Sequence, residues 1–266
     1  MHEAPSSCAV VTGAASGIGR AIACALAQRQ IDLVLVDIDA DALHATARHI
    51  GEVAPAVRTL AIVADLSQPE AMPGIAERAF AQFGSVDWLY NCAGMLVSGR
   101  SWELDERQWN TLMNVNLWSV VRAARAFVPR MLEQGRGHIV NIASLAGLLV
   151  GPWIAPYTVS KHGLVAYSET LHQELRALDL PVNVSIVLPG PVDTGICRHI
   201  DGAAGDAQVD AGNTYLRTMI AGGMTPDALA AIVLAGVDAN KLWIFPHAEI
   251  LKGALKQRSD MLLAVQ

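Results

Sequence analysis

Residues 12–19 read TGAASGIG, and this stretch follows a run of apolar residues and precedes a helical pattern. Glycine permits a tight turn, lets backbone amides approach a diphosphate, and allows a helix to pack closely on a strand. The stretch predicts a strand–turn–helix unit that binds the diphosphate of a dinucleotide through Gly13, Ser16, Gly17, Ile18 and Gly19. A glycine-rich turn that binds no ligand is the alternative, so the prediction needs support from the rest of the chain.

Strand-like and helix-like segments alternate on from this turn. Short runs rich in Val, Ile and Leu, typical of strands buried on both faces, lie at 8–13, 32–37, 59–65, 86–91, 138–144, 182–190 and 242–245. Helical patterns lie between them, at 18–30, 40–50, 69–83, 105–133 and 156–178. The alternation predicts an α/β fold with a doubly wound parallel sheet, a Rossmann-like sandwich of three α/β/α layers. Because no linker or repeat interrupts it, we expect one domain over residues 1–266.

The choice between NAD and NADP depends on Asp37, which ends the second predicted strand 18 residues beyond Gly19. A carboxylate there accepts hydrogen bonds from the adenosine ribose hydroxyls and repels the 2′-phosphate of NADP. A site for NADP would favour Arg or Lys near Ala15 or Ile38, and neither position is basic. The alternative role for Asp37 is to cap the following helix, but Asp39 is better placed for that. We therefore predict that NAD is preferred over NADP, with Asp37 and Ile38 beside the adenosine.

Tyr157 and Lys161 lie four residues apart in a helical pattern, so their side chains share one face. A free tyrosine, with a pKa of about 10, is a weak base at neutral pH. A lysine ammonium about 5 Å away stabilises the phenolate by about 3 kcal/mol at an effective dielectric constant of about 20, which lowers the pKa of the phenol. The pair predicts a general acid/base that exchanges a proton with a substrate oxygen as a hydride moves to or from carbon. Taken alone, a surface Tyr–Lys pair is the alternative.

Two more polar residues are predicted near this pair. Ser144 lies thirteen residues before Tyr157 at the end of a predicted strand, where its hydroxyl could hold a substrate oxygen. Asn116 lies within the long helical pattern, and a poor helix former on a buried face needs a reason, such as holding a water beside Lys161. Each residue alone is explained as well by an ordinary buried hydrogen bond. Their joint position at the edge where the dinucleotide turn opens favours a catalytic site.

With these motifs the chain resembles the short-chain dehydrogenase/reductase family over roughly residues 6–245. The matching pieces, in chain order, are TGAASGIG (12–19), Asp65–Leu66, NCAG (91–94), Asn116 in MNVNLW, Ser144 in IVNIAS, YTVSK (157–161) and PGPVDT (189–194). Several independent motifs in the right order are far more specific than any one of them.

The resemblance implies a function for each matched position. Asn116, Ser144, Tyr157 and Lys161 would form the catalytic tetrad, and Tyr157 and Lys161 would also hold the nicotinamide ribose. The other implied cofactor contacts are Asp65 and Leu66 on the adenine, Asn91, Ala93 and Gly94 on the adenosine and ribose side, and the backbone of Pro189, Gly190 and Val192 with the Thr194 hydroxyl on the nicotinamide carboxamide.

The chain departs from the family pattern in two places. NCAG carries Cys92 where the family usually has asparagine, and a small buried thiol should be tolerated there. The last predicted strand continues as FPHAEILKG instead of the usual Asp-Gly-Gly ending, which leaves the usual C-terminal packing in doubt. By analogy with the family, we still expect a homodimer or homotetramer that pairs through helices 105–133 and 156–178.

Substrate contacts are predicted from position alone. Residues 191–223, which we name the lid segment, are rich in Gly, Ala and Asp with little periodicity and follow a strand end, so they predict a substrate lid. Leu96 and Trp153 are predicted to bind substrate together with Ser144 and Tyr157. The surrounding residues are largely apolar, which favours an uncharged, hydrophobic alcohol or ketone, although ordinary core packing explains them equally well.

Composition excludes several other functions. The formal net charge of −6 leaves no basic patch for nucleic acid. The chain is 52% hydrophobic, but its longest stretch without a charged residue, 137–160, contains prolines and polar residues, so no membrane span is expected. The histidines form no metal-binding motif, and the scattered cysteines suit a reducing compartment. Since no export signal begins the sequence, we expect a cytoplasmic protein.

The function predicted from the sequence is therefore an NAD(H)-dependent oxidoreductase that transfers a hydride between nicotinamide and a secondary alcohol or ketone, with Tyr157 as general acid/base. One alternative is a 3-oxoacyl-carrier-protein reductase, but such an enzyme would favour NADPH, and Asp37 argues against it. Another is a non-catalytic NAD-binding regulator, which would have no need of an intact set of Ser144, Tyr157 and Lys161.

Overall fold

All the strands are parallel and form a single sheet. The computed structural model describes residues 7–198, 200 and 206–264. Its strands are β1 (Cys8–Thr12), β2 (Asp32–Asp37), β3 (Thr59–Val63), β4 (Trp88–Asn91), β5 (Gly137–Ile142), β6 (Val182–Val187) and β7 (Trp243–Ile244). Their order across the sheet is β3-β2-β1-β4-β5-β6-β7, which confirms the predicted doubly wound fold.

Helices cover both faces of this sheet. They are α1 (Gly17–Gln28), α2 (Ala40–Val53), α3 (Ala71–Phe83), α4 (Glu106–Met113), α5 (Ser119–Glu133), α6 (Ala155–Ala177), α7 (Ala207–Ala221), α8 (Pro226–Asp238) and α9 (Ala248–Leu263). A π-helical segment, Asn114–Trp118, joins α4 to α5.

The first strand shows how the three layers are held together. Its residues are fully buried, and successive side chains point to opposite faces of the sheet. Ala9 and Val11 pack in one core with residues of α1, α2 and α8. Cys8 and Val10 pack in a second core with residues of α3, α5 and α6. Because burying a Val or Leu side chain stabilises a fold by about 1.5–3 kcal/mol, a strand buried on both faces holds both helical layers.

The site is set by the point where the strand order reverses. The chain winds from β1 outward through β2 to β3, then returns to place β4 on the other side of β1. The crevice at the carboxyl ends of β1 and β4 is where ligands bind in such sheets. The glycine turn follows β1 and NCAG follows β4, so the structure brings these two motifs together at this edge.

The strands that lead into the site are shorter than the sequence predicts. The runs 59–65, 138–144 and 182–190 leave the sheet at Val63, Ile142 and Val187. Asp65, Ser144 and Pro189 therefore lie in the loops that follow these strands. Apolar character continues past the end of the ladder because these loops stay buried at the sheet edge, and periodicity alone does not show where pairing stops.

Three helical regions also differ from the sequence predictions. The single helix predicted over 105–133 is two α-helices separated by the π-helical segment. The lid segment, predicted to have little regular structure, contains the fifteen-residue helix α7, begun by the Asp206 side chain, which accepts hydrogen bonds from two backbone amides. His199 and residues 201–205 of that segment lie outside the described residues. Helices α8 and α9 are absent from the helices predicted from the sequence.

Candidate active site

The glycines of the turn lie too close to neighbouring atoms to carry a side chain. Gly13 has φ of +69°, a region that favours glycine, and a Cβ there would lie 2.9 Å from the Ala93 amide nitrogen. A Cβ on Gly19 would collide with the Gly13 carbonyl, so α1 packs directly against the turn. A Cβ on Gly17 would lie 3.1 Å from Cγ2 of Thr194, which places the PGPVDT motif opposite the turn.

Thr12 joins the glycine turn to the NCAG motif. Its hydroxyl oxygen accepts hydrogen bonds from the Cys92 amide at 3.0 Å and the Ala93 amide at 3.2 Å, and the hydroxyl donates to the Tyr90 carbonyl at 3.4 Å. No role for Thr12 was predicted from the sequence. The signal for it was present, because Thr12 is the last residue of β1 and directly precedes Gly13.

Asp37 points at the glycine turn and does not cap α2. One carboxylate oxygen accepts from the Ala15 amide at 2.9 Å and the other from the Asp39 amide at 3.1 Å. The Asp39 side chain caps α2 by accepting from the Ala42 amide at 3.0 Å. Each oxygen of Asp37 keeps a further lone pair, so the fixed carboxylate can still accept from two hydroxyl groups. Its neighbour Ile38 is 67% exposed and free to cover a ligand.

The residues predicted beside the adenine and ribose differ in what their side chains can offer. Asp65 accepts from the amide and hydroxyl of Ser67, and these hydrogen bonds hold the pKa of the carboxyl below its usual value. Leu66 is buried beside it. The amide of Asn91 donates to Asn141 at 2.8 Å within the sheet, so contact of Asn91 with a dinucleotide would involve its backbone. Gly94 is exposed, and a Cβ there would lie 3.8 Å from Lys161 Nζ.

Tyr157, Lys161 and Ser144 meet at the carboxyl edge of β5. Helix α6 carries the first two, and its buried face holds Tyr157 at 9% and Lys161 at 4% exposure. The ammonium of Lys161 lies 5.7 Å from the centre of the Tyr157 ring and donates to the Ile142 carbonyl at 2.9 Å. Ser144 accepts from the Ala146 amide at 3.1 Å, and its hydroxyl hydrogen-bonds with Tyr157. The structure thus brings three of the four predicted tetrad residues to one point.

Burial governs the protonation of this cluster. Burial raises the pKa of Tyr157, and the hydrogen bond with Ser144 offsets only part of that rise. Burial also lowers the pKa of Lys161 to about 8, because a desolvated ammonium loses its hydration. The predicted lowering of the pKa of Tyr157 by Lys161 is therefore not found, because burial raises that pKa.

Asn116, the fourth tetrad residue, lies in the π-helical segment and is 1% exposed. Its side-chain amide accepts from the Met95 nitrogen and donates to the Met95 carbonyl, both at 2.9 Å, and it also donates to the Ser160 hydroxyl at 3.2 Å. Asn116 therefore fixes the chain that follows NCAG against α6. A π-helical turn shifts the backbone by one residue and is frequent at functional sites, so its position beside Lys161 agrees with a role in the site.

The loop after β6 is held on both sides. The Pro189 carbonyl accepts from the Leu145 amide at 2.9 Å, and the Gly190 amide donates to Nδ1 of His247 at 3.0 Å. Val192 forms a parallel bridge with Met224. In this bridge the Met224 amide donates to the Pro191 carbonyl, and the Asp193 amide donates to the Met224 carbonyl. The N–H and C=O of Val192 itself point away from Met224, as parallel pairing requires, and can serve a ligand. His247 was missed, because nothing in the sequence connects it to position 190.

Apolar side chains surround Tyr157 on the substrate side. Leu96 and Tyr157 belong to one buried cluster with Leu112, Cys197 and Ile200. Its partly buried members are Met95, Val97, Ala146, Ile154, Ile196, Leu216 and Ile220. Leu216 and Ile220 lie on α7, so this helix packs against the cluster that contains Tyr157.

Trp153 packs against α7. It has φ of +67°, a strained conformation for a residue with a side chain, and its carbonyl accepts from the Gly99 amide at 2.8 Å. A Cβ on Gly212 would lie 2.6 Å from Cδ1 of Trp153, so α7 approaches the indole ring closely. Trp153 is thus beside the site but is engaged in holding α7.

Two polar contacts tie α7 to the loop that follows NCAG. The buried Ser98 hydroxyl donates a short hydrogen bond to Oδ1 of Asn213, whose amide donates to the Ile200 carbonyl at 3.3 Å. Arg100 pairs with Asp206, the residue that caps α7, at 2.6 Å. Helix α7 is thus bonded to this loop, and nothing in the sequence indicates the Ser98–Asn213 and Arg100–Asp206 contacts, which join residues more than 100 positions apart.

A cavity of about 530 Å³ opens between the glycine turn and α7. Ser16, Gly17 and Thr194 line this cavity together with Ile220 and Ala221 of α7. Space of this size at the start of α1, next to glycines that leave room for backbone contacts, fits the diphosphate of a dinucleotide.

Comparison with known proteins identifies the family. The family model described as short chain dehydrogenase matches residues 7–203. The chain belongs to the short-chain dehydrogenase/reductase family. It is 40% identical over 247 residues to the 1-deoxy-11-beta-hydroxypentalenate dehydrogenase of Streptomyces exfoliatus, a match that covers 91% of this chain and 83% of that protein.

Solved structures of this family superpose closely. A short-chain dehydrogenase/reductase from Burkholderia phymatum, solved in complex with NAD, is 32% identical with a TM-score of 0.92, and the match covers 100% of this chain and 98% of that one. A short-chain dehydrogenase from Sphingobium yanoikuyae, solved with NADPH, is 28% identical with a TM-score of 0.78 over 98% and 96% of the two chains. As a short-chain dehydrogenase/reductase, the protein is an oxidoreductase that uses a nicotinamide cofactor and a small-molecule substrate.

Within residues 7–198, 200 and 206–264, no helix has both the length and the apolar character needed to cross a bilayer. In the same described part of the chain, His, Cys, Asp and Glu form no group of three or more that could hold a metal ion.

Proposed function

We propose that this short-chain dehydrogenase/reductase transfers a hydride between NAD(H) and an uncharged, hydrophobic secondary alcohol or ketone, with Tyr157 as the general acid/base. One observation carries the proposal: Ser144, Tyr157 and Lys161 converge at a buried point beside the crevice that the glycine turn opens. A binding protein without catalysis has no need for a hydroxyl, a phenol and an ammonium at that point.

Each polar side chain has one task in the oxidation direction. Bound NAD⁺ supplies the carbon that accepts the hydride and a positive charge that favours the phenolate of Tyr157. Ser144 donates a hydrogen bond to the substrate oxygen, and Tyr157 takes the proton of the substrate hydroxyl. Lys161, whose ammonium lies 5.7 Å from the centre of the Tyr157 ring, stabilises the phenolate by its charge. Reduction of a ketone uses the same groups in reverse, with Tyr157 donating the proton.

The preference for NAD rests on Asp37. Its carboxylate is fixed by the Ala15 and Asp39 amides at the end of β2. From this position a carboxylate would accept hydrogen bonds from a ribose and repel a 2′-phosphate. Family members with each cofactor are known, since the Burkholderia phymatum structure holds NAD and the Sphingobium yanoikuyae structure holds NADPH.

The substrate class follows from the cluster around Tyr157. Leu96, Cys197 and Ile200 are buried there. Apolar side chains around the phenol favour an uncharged substrate, since a charged group loses its hydration beside them. The Streptomyces exfoliatus relative is named for a hydroxylated substrate, which agrees with a reaction at a hydroxyl group.

A screen of alcohols and ketones with both cofactors, read as nicotinamide absorbance, tests the proposal. We expect turnover of alicyclic, aromatic or steroid-like compounds with NAD(H), and none in Tyr157→Phe. Activity confined to acyl-carrier-protein substrates with NADPH would instead indicate a 3-oxoacyl-carrier-protein reductase. Binding of NADH without turnover of any compound would indicate a non-catalytic regulator.

We further propose that the protein is a homodimer or homotetramer that pairs through the α4–α5 region and α6. Trp118 and Val159 are 50% and 48% exposed on these elements, which is costly for apolar side chains of this size unless another copy covers them. Sedimentation equilibrium should give a dimer or tetramer, and a monomer at micromolar concentration would contradict this.

A further inference from the structure

The residue that begins the last helix touches the loop after β6. Nδ1 of His247 accepts the Gly190 amide proton at 3.0 Å, and a Cβ on Gly190 would lie 3.1 Å from Cγ of the imidazole. The contact joins positions 57 residues apart in sequence. Because Nδ1 is the acceptor, His247 must be neutral, with its proton on Nε2.

Helix α9 holds His247 in this place. Leu251 is 5% exposed and packs in a core with Leu145 and Leu188, which flank the same loop. Further along the helix, Arg258 donates to the Leu148 carbonyl at 2.5 Å and to Nε2 of His162 at 3.2 Å. The helix is therefore fastened to the loops that follow both β5 and β6.

The loop after β6 is thus set from two sides. The Leu145 amide fixes the Pro189 carbonyl, and His247 fixes the next amide, that of Gly190. Two residues later, Val192 turns its free N–H and C=O away from Met224. A shift at Gly190 would move these two groups, since only Pro191 separates the residues and its ring restricts the backbone.

We propose that His247 is a positioning residue for the nicotinamide: by accepting the Gly190 amide it sets the place of the Val192 backbone groups. The inference rests on the proposed function, because it assumes that this loop meets the nicotinamide of a bound dinucleotide. The proposal assigns a function to α9, which lies in the C-terminal segment 246–264 where the chain differs from the usual family ending.

The charge state of the imidazole provides a readout that a purely structural contact lacks. Segments 145–149 and 188–191, which pack against it, contain no ionisable residue, and nor do residues 243–246 that precede it. On α9, Glu249 and Lys252 pair with each other and are 88% and 77% exposed. Burial alone lowers the pKa of His247. Protonation at Nδ1 would turn the acceptor into a donor facing another donor and release Gly190.

The test compares His247→Leu, which has no acceptor, with His247→Asn, whose Oδ1 can take the place of Nδ1, and with Glu249→Gln as the control on the same helix. For each, NADH dissociation constants by fluorescence, KM for NAD⁺, kcat and Tm are measured. We expect His247→Leu to raise both the NADH dissociation constant and KM about tenfold, His247→Asn to restore most of the affinity, and Glu249→Gln to match the wild type.

A lower Tm with unchanged NADH affinity in His247→Leu would overturn the inference. If that variant does not fold, the pH titration decides: wild-type affinity for NADH should fall as the pH drops below about 6.5, and that of His247→Asn should not. Equal pH dependence in the two proteins would also overturn it. Failure of the wild type to bind NADH would instead contradict the proposed function.

Discussion

Lys161 donates a hydrogen bond to the carbonyl oxygen of Ile142, the last residue of β5, at 2.9 Å. The end of a strand therefore fixes the cation beside Tyr157. An ammonium has three donors, so two remain for a ribose hydroxyl and for a water or the phenolate. The arrangement is costly, because Lys161 is 4% exposed and has no carboxylate partner among the ion pairs of the described residues.

Lys161→Met should stabilise the ligand-free protein at pH 7 while removing most activity. Burial lowers the folded pKa of Lys161 from 10.5 to about 8, so between these pH values the unfolded chain binds a proton that the folded chain does not. The cost is complete below pH 8 and disappears as the pH rises towards 10.5. It amounts to about 3 kcal/mol, and the lost hydrogen bond to Ile142 offsets about 1 kcal/mol.

Urea unfolding of both proteins at pH 7 and at pH 10 measures this. A gain of about 2 kcal/mol at pH 7 that shrinks at pH 10 is expected from these terms. A less stable variant at pH 7, or a difference that does not change with pH, would show that contacts other than the Ile142 hydrogen bond stabilise the charged Lys161.

Tyr157→Phe should lower kcat by about 10²–10⁴-fold, the usual contribution of a general acid/base, and leave NADH binding nearly intact. The ring still fills its buried place, since Tyr157 packs with Leu96 and Cys197 through its carbon atoms. Steady-state kinetics and NADH fluorescence titration check the two parts separately. A variant with near wild-type kcat would remove Tyr157 from the proton transfer.

Asp37→Asn should relax the preference for NAD⁺ over NADP⁺ by about tenfold in the ratio of kcat/KM values, since a 2′-phosphate no longer faces a full negative charge. Asparagine keeps one acceptor oxygen for the Ala15 amide. Asp39→Asn is the matched control, because Asp39 caps α2 and lies one residue from the proposed adenosine contact at Ile38. If both variants change the ratio equally, general surface charge and not Asp37 sets the preference.

Asn213→Ala should raise KM for the alcohol or ketone several-fold and leave the affinity for NADH unchanged. The substitution removes the side chain that receives the Ser98 hydroxyl and reaches the Ile200 carbonyl, so α7 closes less firmly over Tyr157. Thr214→Ala, at an exposed neighbouring position on the same helix, is the control for loss of helix stability. A parallel loss of NADH affinity would mean that α7 supports the whole site and does not act as a substrate lid.

Most of the fold was predictable because local patterns and global topology agree. Strands such as Asp32–Asp37 are short, apolar on both faces and followed by a turn, and a parallel sheet accounts for all three properties. The glycine turn and the spacing of Tyr157 and Lys161 were likewise readable, since both depend on backbone rules that act over a few residues.

What the sequence did not show depends on contacts between distant residues. The pairing of Ser98 with Asn213 and of Gly190 with His247 has no local signature, and Asn116 lies in a π-helical segment because of what surrounds it. The protonation of Tyr157 was mistaken for a similar reason: spacing gives the distance to Lys161, but burial comes only from the tertiary structure.

The place of β4 has a consequence for how the chain is made. Until residues 88–91 leave the ribosome, β1 has no partner on its β4 side. The positions that later pair with Trp88, Leu89 and Tyr90 are those of Ala9, Val10 and Val11. An unpaired apolar edge of this kind invites association with other nascent chains. The hydrogen bond between Thr12 and the Cys92 amide joins residues 80 positions apart. An N-terminal fragment that ends before Cys92 therefore lacks one side of the crevice, and we expect dinucleotide binding only once the chain extends beyond that residue.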